Sequence, residues 1–357
     1  MCIIDIIKIV LFAGGNPFHH HQNLNELASA WERPETIVVQ EPFWTPTARR
    51  ADIVLPSSTP LERNDIGGAE NLMISHGRAV DPPGEARDDY EIMAMVADQL
   101  GLKDQFTEGR TGDQWVEVLY DLFRAENEWA PDFDEFCEAG YLRHPDMSEM
   151  GENEQVFLSE FRSDPVTHSL GTPSGRIELW SETIAGFGYD DCPPHPAWME
   201  PYERLGGTNS DQWPLHLVSN QPSVRLHSQY DHTEPSRGAK VAGREPIRIH
   251  PATAKDRGIS EGDVVRVFNN RGSCLAGAVL DDALMPEVVQ LSTGAWYDPD
   301  PEGMCRAGNP NVLTRDKGTS KLAQGPSAHT CLVDIELFVG DAPRVESYDQ
   351  PQFVDQQ

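Results

Sequence analysis

The chain has 357 residues and a formal net charge of −30 at pH 7, from 58 acidic residues against 28 lysines and arginines. A field of that sign argues against nucleic acid or an anionic membrane as partner, because each phosphate would meet net repulsion. The length suggests roughly two domains, and a hydrophobic share of 38% is low for a compact protein, so a globular chain with polar inserts is expected.

The opening stretch Met1-Cys2-Ile3-Ile4 is apolar, but Asp5 and Lys8 interrupt it and no small-residue cleavage signal follows. It is too short to span a bilayer and reads as part of a strand rather than a targeting segment. Ile6 to Phe12 suits a buried parallel strand, ending in the turn Ala13-Gly14-Gly15-Asn16-Pro17. Leu24, Leu27 and Ala28 then fall at helical spacing within Asn23 to Trp31, and Thr36 to Val39 supplies a second strand. In a strand–glycine turn–helix–strand unit, backbone N–H groups at the turn can approach a phosphate, and an acid after the second strand, here Glu41, can accept from ribose hydroxyls. Gly14-Gly15-Asn16-Pro17 is not a GxGxxG fingerprint, so taken alone it is equally a plain turn. His19-His20-His21 cannot all face one metal from a helix, so a metal site is not expected there.

Gly67 to Asn71 reads as a loop, and a helix follows with Asp88 or Asp89 as its cap, Ile92, Met93, Val96, Ala97 and Leu100 as its apolar face and Gly101 as its stop. A second amphipathic helix spans Thr111 to Phe123. Glu126 to Asp164 holds 12 acids against Arg143 and Arg162 and reads as a solvated surface insertion. Pro193 to Pro201 is linker-like. From Trp213 six short strands are expected, at 215–219, 246–250, 264–269, 275–280, 288–292 and 330–337, joined by turns as in a small closed barrel. The six cysteines are scattered without a CxxC, which excludes iron–sulfur and zinc-finger patterns and suits a reducing compartment.

Two loops of the second half concentrate hydrogen-bonding groups: Ser219 to Gln229, and the pair Gly308 to Thr314 with Lys321 to Gly325. Such density fits a polar ligand, against the alternative of a polar surface loop. Trp296 follows a buried strand and is either core or a neighbour of these loops.

The runs GGNPFHHHQ, WTPTARRADIVLP and ERND, with the later RLHSQ and GTSKLAQ, closely resemble the molybdenum S- and N-oxide reductases that carry bis(molybdopterin guanine dinucleotide). That family includes biotin sulfoxide, trimethylamine N-oxide and dimethyl sulfoxide reductases, and LSTGAWYDPDPEG with VAGREP looks closest to the biotin sulfoxide type. The resemblance runs from about Leu11 to about Leu337. It implies an incomplete α/β Rossmann-like domain (1–205, with the acidic insertion at 126–164), a six-stranded double-psi β-barrel domain that binds the dinucleotide (206–340), and a tail (341–357).

By resemblance, the cofactor contacts are Gly15, Asn16, His21, Gln22, Glu41, Arg63, Asp89, Ser219, Gln221, Arg225, His227, Ser228, Asn311 and Gln324. They are expected to meet in one cleft whose floor is locally positive through Arg63 and Arg225. By the same resemblance the family's protein ligand to molybdenum lies in an N-terminal half expected to be missing from this chain, so no catalytic residue and no metal ligand is expected here and the chain reads as a fragment. The implied reaction reduces a small S- or N-oxide with electrons from an unidentified donor. Cytoplasmic placement is expected, or periplasmic if a missing N-terminus carries an export signal. The alternative function is a non-catalytic scaffold of the same fold in an electron-transfer complex. Formate dehydrogenases and nitrate reductases are a weaker match to the RLHSQ and GTSKLAQ runs.

Overall fold

The computed structural model describes residues 7–69, 71–144 and 156–351. The opening Met1-Cys2-Ile3-Ile4 run, the middle of the acidic segment and the end of the tail lie outside the described residues. Three strands come first: β1 (Ile9–Ala13), β2 (Thr36–Glu41) and β3 (Ile53–Pro56), ordered β1-β2-β3. Between β1 and β2 lie a single helical turn, α1 (Pro17–His20), and the helix α2 (Leu24–Trp31). Asp52 fixes the entry to β2, since its carboxylate accepts from the Ile37 N–H at 2.7 Å while its own N–H donates to the Ile37 carbonyl at 3.0 Å.

The chain forms two compact units, Met1–Val38 with Trp44–Asp52 and Trp180–Gln357, and Val39–Phe43 with Ile53–Leu179. This differs from a boundary near 205, because Phe18 and Leu24 of the opening segment belong to the same core as the later strands.

In the second unit, β4 (Asp65–Ala69), β5 (Leu72–His76) and β6 (Tyr141–Arg143) make an antiparallel sheet in that order. The stretch read as a loop is therefore a hairpin. Gly68 is required there, because a Cβ would stand 1.9 Å from the Leu72 carbonyl oxygen. The helices of this unit include α3 (Asp89–Gln99), α4 (Lys103–Thr107), α5 (Gly112–Glu126) and α6 (Phe133–Ala139). Thr111 and Gln114 form a reciprocal capping box at the start of α5, satisfying two otherwise orphan donors. Helix α6 lies within the acidic stretch and is not merely solvated surface: Phe136 is fully buried and stacks on the fully buried Tyr120 of α5, ring centroids 4.5 Å apart.

The first unit holds a closed barrel. Its strands are β7 (Leu215–Val218), β8 (Pro246–Ile249), β9 (Val264–Phe268), β10 (Ser273–Leu280), β11 (Val288–Leu291) and β12 (Cys331–Leu337), in the spatial order β10-β8-β11-β7-β12-β9. Parallel pairs (β8 with β10, β7 with β11) mix with antiparallel ones, and β10 pairing with β9 completes the ring. Closure leaves no free sheet edge. Alternate residues point inward, as the burial of Leu215 and Leu217, Ile247 and Ile249, Val265 and Val267, and Val289 and Leu291 shows. Phe18 and Leu24 complete this core, with Trp31 of α2 packed against it.

Candidate functional site

The site begins where β1 ends. Gly14 and Gly15 have φ of +74° and +83°, a region that side-chain-bearing residues rarely adopt, and nothing lies within 4 Å of where their Cβ atoms would be. The turn therefore leaves two residues of bare backbone beside open space. It delivers Asn16, which is buried, and Pro17, which occupies the first position of α1. The Asn16 amide bridges distant segments: Nδ2 donates to Ser228 Oγ at 3.1 Å, and Oδ1 accepts from the buried hydroxyl of Thr47.

The other side of α1 is clamped from the loop that precedes β12. Asn311 Nδ2 donates to the His19 carbonyl at 2.6 Å, while its Oδ1 accepts from Thr314 Oγ1 at 2.8 Å. Asn309 Oδ1 accepts from the Asn311 N–H, and its Nδ2 donates to the Ala295 carbonyl at 2.8 Å. Segments almost 300 residues apart in sequence are thus joined by buried amide side chains.

Three imidazoles gather beside this clamp, with centroids 4.9 Å apart for His19 and His20, 5.4 Å for His19 and His227, and 6.1 Å for His20 and His227. Burial, reinforced by His20 and His227, drives the His19 pKa down to about 3, so that ring is neutral. Its Nδ1 is buried with no hydrogen-bond partner. His227 sits at φ +51° and is held by Gln221, whose Oε1 accepts from the His227 N–H at 3.2 Å and whose Nε2 lies 3.0 Å from Nδ1.

Arg225 does not serve as an open positive group. Its side chain is 2% exposed, and it pairs with Glu245 at 2.9 Å and Asp231 at 3.4 Å, while Lys240 bridges the same two acids at 2.6 and 2.7 Å. Two cations meet two anions, so the expected positive floor is locally neutral here. Burial alone would raise the Asp231 carboxyl, but Lys240 and Arg225 outweigh it and hold that pKa below its usual value. The tetrad acts on the site through backbone. Arg225 Nε donates to the His227 carbonyl at 3.1 Å and Nη2 to the Thr293 carbonyl at 2.9 Å. Asp231 also accepts from the Trp296 N–H at 2.9 Å, and Trp296 Nε1 donates to the Ser228 carbonyl at 2.9 Å.

The second unit has its own polar pocket, about 350 Å³, lined by Ser58, Arg63, Asp88, Asp89 and Tyr90 among others. Asp88 is the cap of α3, accepting from the Glu91 N–H at 2.7 Å, so the cap role does not fall to Asp89. Arg63 is partly engaged, by Asp65 at 3.2 Å and the Ser58 carbonyl at 3.3 Å. Ser58 Oγ is buried without a partner.

Of the residues singled out from sequence, the structure gathers Gly15, Asn16, Gln221, Arg225, His227, Ser228 and Asn311 in the first unit, and Arg63 with Asp89 in the second. His21 is exposed, and Gln22 donates to the His20 carbonyl at 3.1 Å. Ser219 follows β7 and is half-buried. Gln324 is exposed and bonds within its own loop, to the Ser320 carbonyl at 2.8 Å. Glu41 ends β2 and accepts from the Phe43 N–H at 3.4 Å. Sequence reasoning missed Thr47, His19 and Asn309. The one legible signal among them was Asn309 ahead of Pro310, the signature of a capped turn.

Residues 3–99 match the family model described as molybdopterin oxidoreductase, and residues 215–332 match the molydopterin dinucleotide binding domain. The chain thus contains a molybdopterin oxidoreductase domain and a molydopterin dinucleotide binding domain. It is 47% identical over 352 residues to a biotin sulfoxide reductase of Cereibacter sphaeroides, a match covering 96% of this chain and 46% of that protein. A dimethyl sulfoxide/trimethylamine N-oxide reductase of the same organism is 46% identical over 97% of this chain and 43% of its own length. A trimethylamine-N-oxide reductase of Haemophilus influenzae is 44% identical over 98% and 44%. The chain thus spans less than half the length of these relatives. Among solved structures, acetylene hydratase from Pelobacter acetylenicus superposes with a TM-score of 0.71 at 21% identity, covering 93% of this chain and 44% of that one, a likeness of fold.

Two observations fit a molybdopterin dinucleotide to this chain. The bare Gly14-Gly15 backbone leaves room for close approach. Buried His19 Nδ1 and Ser58 Oγ are polar atoms without partners, which a bound polar ligand would satisfy.

Proposed function

We propose that this chain supplies cofactor-binding walls of a molybdenum oxidoreductase that reduces S- or N-oxides by oxygen-atom transfer, with bis(molybdopterin guanine dinucleotide) as cofactor. The observation that carries the reading is the junction of Asn16 with Ser228 and of Asn311 with His19, which puts the glycine turn and the two polar loops of the barrel unit together. When bound, the molybdenum centre supplies the two-electron chemistry by which oxide, two protons and two electrons become sulfide or amine and water. This chain's residues bind and orient. The Gly14-Gly15 backbone admits the ligand closely, neutral His19 offers Nδ1, and the Arg225 tetrad fixes the His227 turn. In the second unit, Arg63 and Asp89 are the groups we assign to the guanine nucleotide, a guanidinium and a carboxylate suiting diphosphate oxygens and guanine N–H groups respectively. We read the mixed six-stranded barrel as double-psi, and β1 to β3 with their helices as the Rossmann-like remnant. Five free cysteines among the described residues support the proposal of a reducing, cytoplasmic setting, which cell fractionation tests.

The direct test is pterin content. Chain isolated from a molybdopterin-producing host should carry oxidisable, fluorescent pterin, and Asn16→Ala or Ser228→Ala should reduce it severalfold. Absence of pterin from folded wild-type chain would defeat the reading. Because the family's metal ligand is expected outside these residues, the chain alone should not turn over biotin sulfoxide or trimethylamine N-oxide with reduced viologen. A non-catalytic scaffold is the second reading. It is favoured by the neutralisation of Arg225, which withdraws one cation from any ligand, and it predicts folded chain without pterin.

A further inference from the structure

On the barrel unit, the Glu234–Arg244 segment and the C-terminal run Ala342–Tyr348 enclose a cavity of about 620 Å³ that contains no residue of the Asn16 constellation. Its wall carries Arg237, Lys240, Arg244 and Arg344 against a single acid, Glu234, in a chain whose net charge is −30. Two of those cations are already engaged: Lys240 in the buried tetrad, and Arg344 on Asp349.

Arg244 is not. It is 5% exposed, Nη1 donates to the Ala242 carbonyl at 2.6 Å, Nη2 donates to the Pro343 carbonyl, and Nε is buried with no partner. Among the described residues no carboxylate lies within ion-pair distance of it, whereas Arg225, Arg271 and Arg306 are each paired, with Glu245, Glu203 and Asp298. Burial lowers the Arg244 pKa, with Asp298 pushing the other way. Arg237 is exposed at the same cavity, its guanidinium 5.5 Å from the Tyr348 ring centroid, and it makes no side-chain hydrogen bond among the described residues. A buried cation without a counter-charge is unfavourable and is normally paired.

We propose that this cavity is a binding site for a small organic oxyanion, a phosphate ester or a carboxylate, held by Arg244 and Arg237. Guanidinium groups match both head groups in fork geometry. The volume lies in the range of small-molecule pockets and exceeds what a bare inorganic ion fills. Pro343, which accepts from Arg244, makes the C-terminal run the outer wall, so occupancy orders that run. The site does not depend on the molybdopterin reading, and its test needs no cofactor.

Titration calorimetry on the purified chain with glycerol phosphate, succinate and sodium chloride at matched ionic strength tests it. Saturable heat is expected from at least one of the first two and not from chloride, and which one responds identifies the head group. Arg237→Gln should weaken that binding about tenfold, as loss of a charge-assisted hydrogen bond implies. Arg244→Lys keeps the charge but loses the fork, and should weaken it comparably; if that variant does not fold, the exposed Arg237 position still decides. Amide exchange in Ala342–Tyr348 should slow when the anion is added. The proposal is overturned if neither anion binds, if chloride acts equally, or if Arg237→Gln binds as wild type.

Discussion

Gly294 shows how tightly a single backbone position can be specified. Its φ is +98°, and a Cβ would lie 1.8 Å from the His227 carbonyl oxygen, the same oxygen that accepts from Arg225. Gly294→Ala should therefore cost more than about 2 kcal/mol in urea unfolding and disturb the His227 turn. His19 sets a pH dependence of definite sign. Its folded pKa, about 3, lies below the ordinary 6.5, so the unfolded chain binds more protons between those values. Stability should fall as pH drops from 6.5 toward 3, by at most about 1.4 kcal/mol per pH unit from this group. His19→Gln should flatten that slope by nearly one proton, measurable as the difference between urea titrations at several pH values in that window. Much of this chemistry was legible as residue type and little as residue role. Arg225 reads in sequence as a cation for phosphate, because its neutralising partners Asp231 and Glu245 are recruited by folding across 6 to 20 positions. The choice between Asp88 and Asp89 as cap depends on a one-residue difference in where α3 begins.

At the level of elements, the barrel strands were readable because inward and outward residues alternate and turns separate them. The β4–β5 hairpin was not, since Gly67 and Gly68 are poor strand formers by propensity, and only the closeness of the Leu72 carbonyl reveals why glycine is there. The acidic stretch misled in the same way. Its charge density suggests solvation throughout, yet α6 turns one face inward and Phe136 closes a core with Tyr120. Phe136→Ala should destabilise the second unit by about 3–5 kcal/mol, as for other large buried aromatics. Limited proteolysis would register this as faster cleavage within 53–144 than in the barrel, and equal protection of both would contradict the assignment of Phe136 to that core.

For the molecule as a whole, a charge of −30 must repel itself in any compact state. Moderate salt, from about 10 to 150 mM, shortens the reach of that repulsion to about 8 Å and should raise the melting temperature, while replacing exposed acids on 159–182 by their amides should mimic the effect. The C-terminal run bears on this unit too: the Tyr348 hydroxyl donates to Asp231 at 2.8 Å, and Tyr348→Phe should cost about 1–2 kcal/mol. The barrel's strand order carries a further consequence, in time rather than in space. Strand β12 sits between β7 and β9 and is made after the other five barrel strands, while Phe18 and Leu24, far upstream of it, bury their side chains in the core that β12 closes. At roughly 5–20 residues per second, about 15–60 s separate the emergence of those residues from the completion of their surroundings. During that interval the opening segment is an unsatisfied apolar strand–helix unit on a nascent chain. Ribosome-bound chains arrested before Cys331 should therefore be cleaved readily around Phe18, and those released after Leu337 should not.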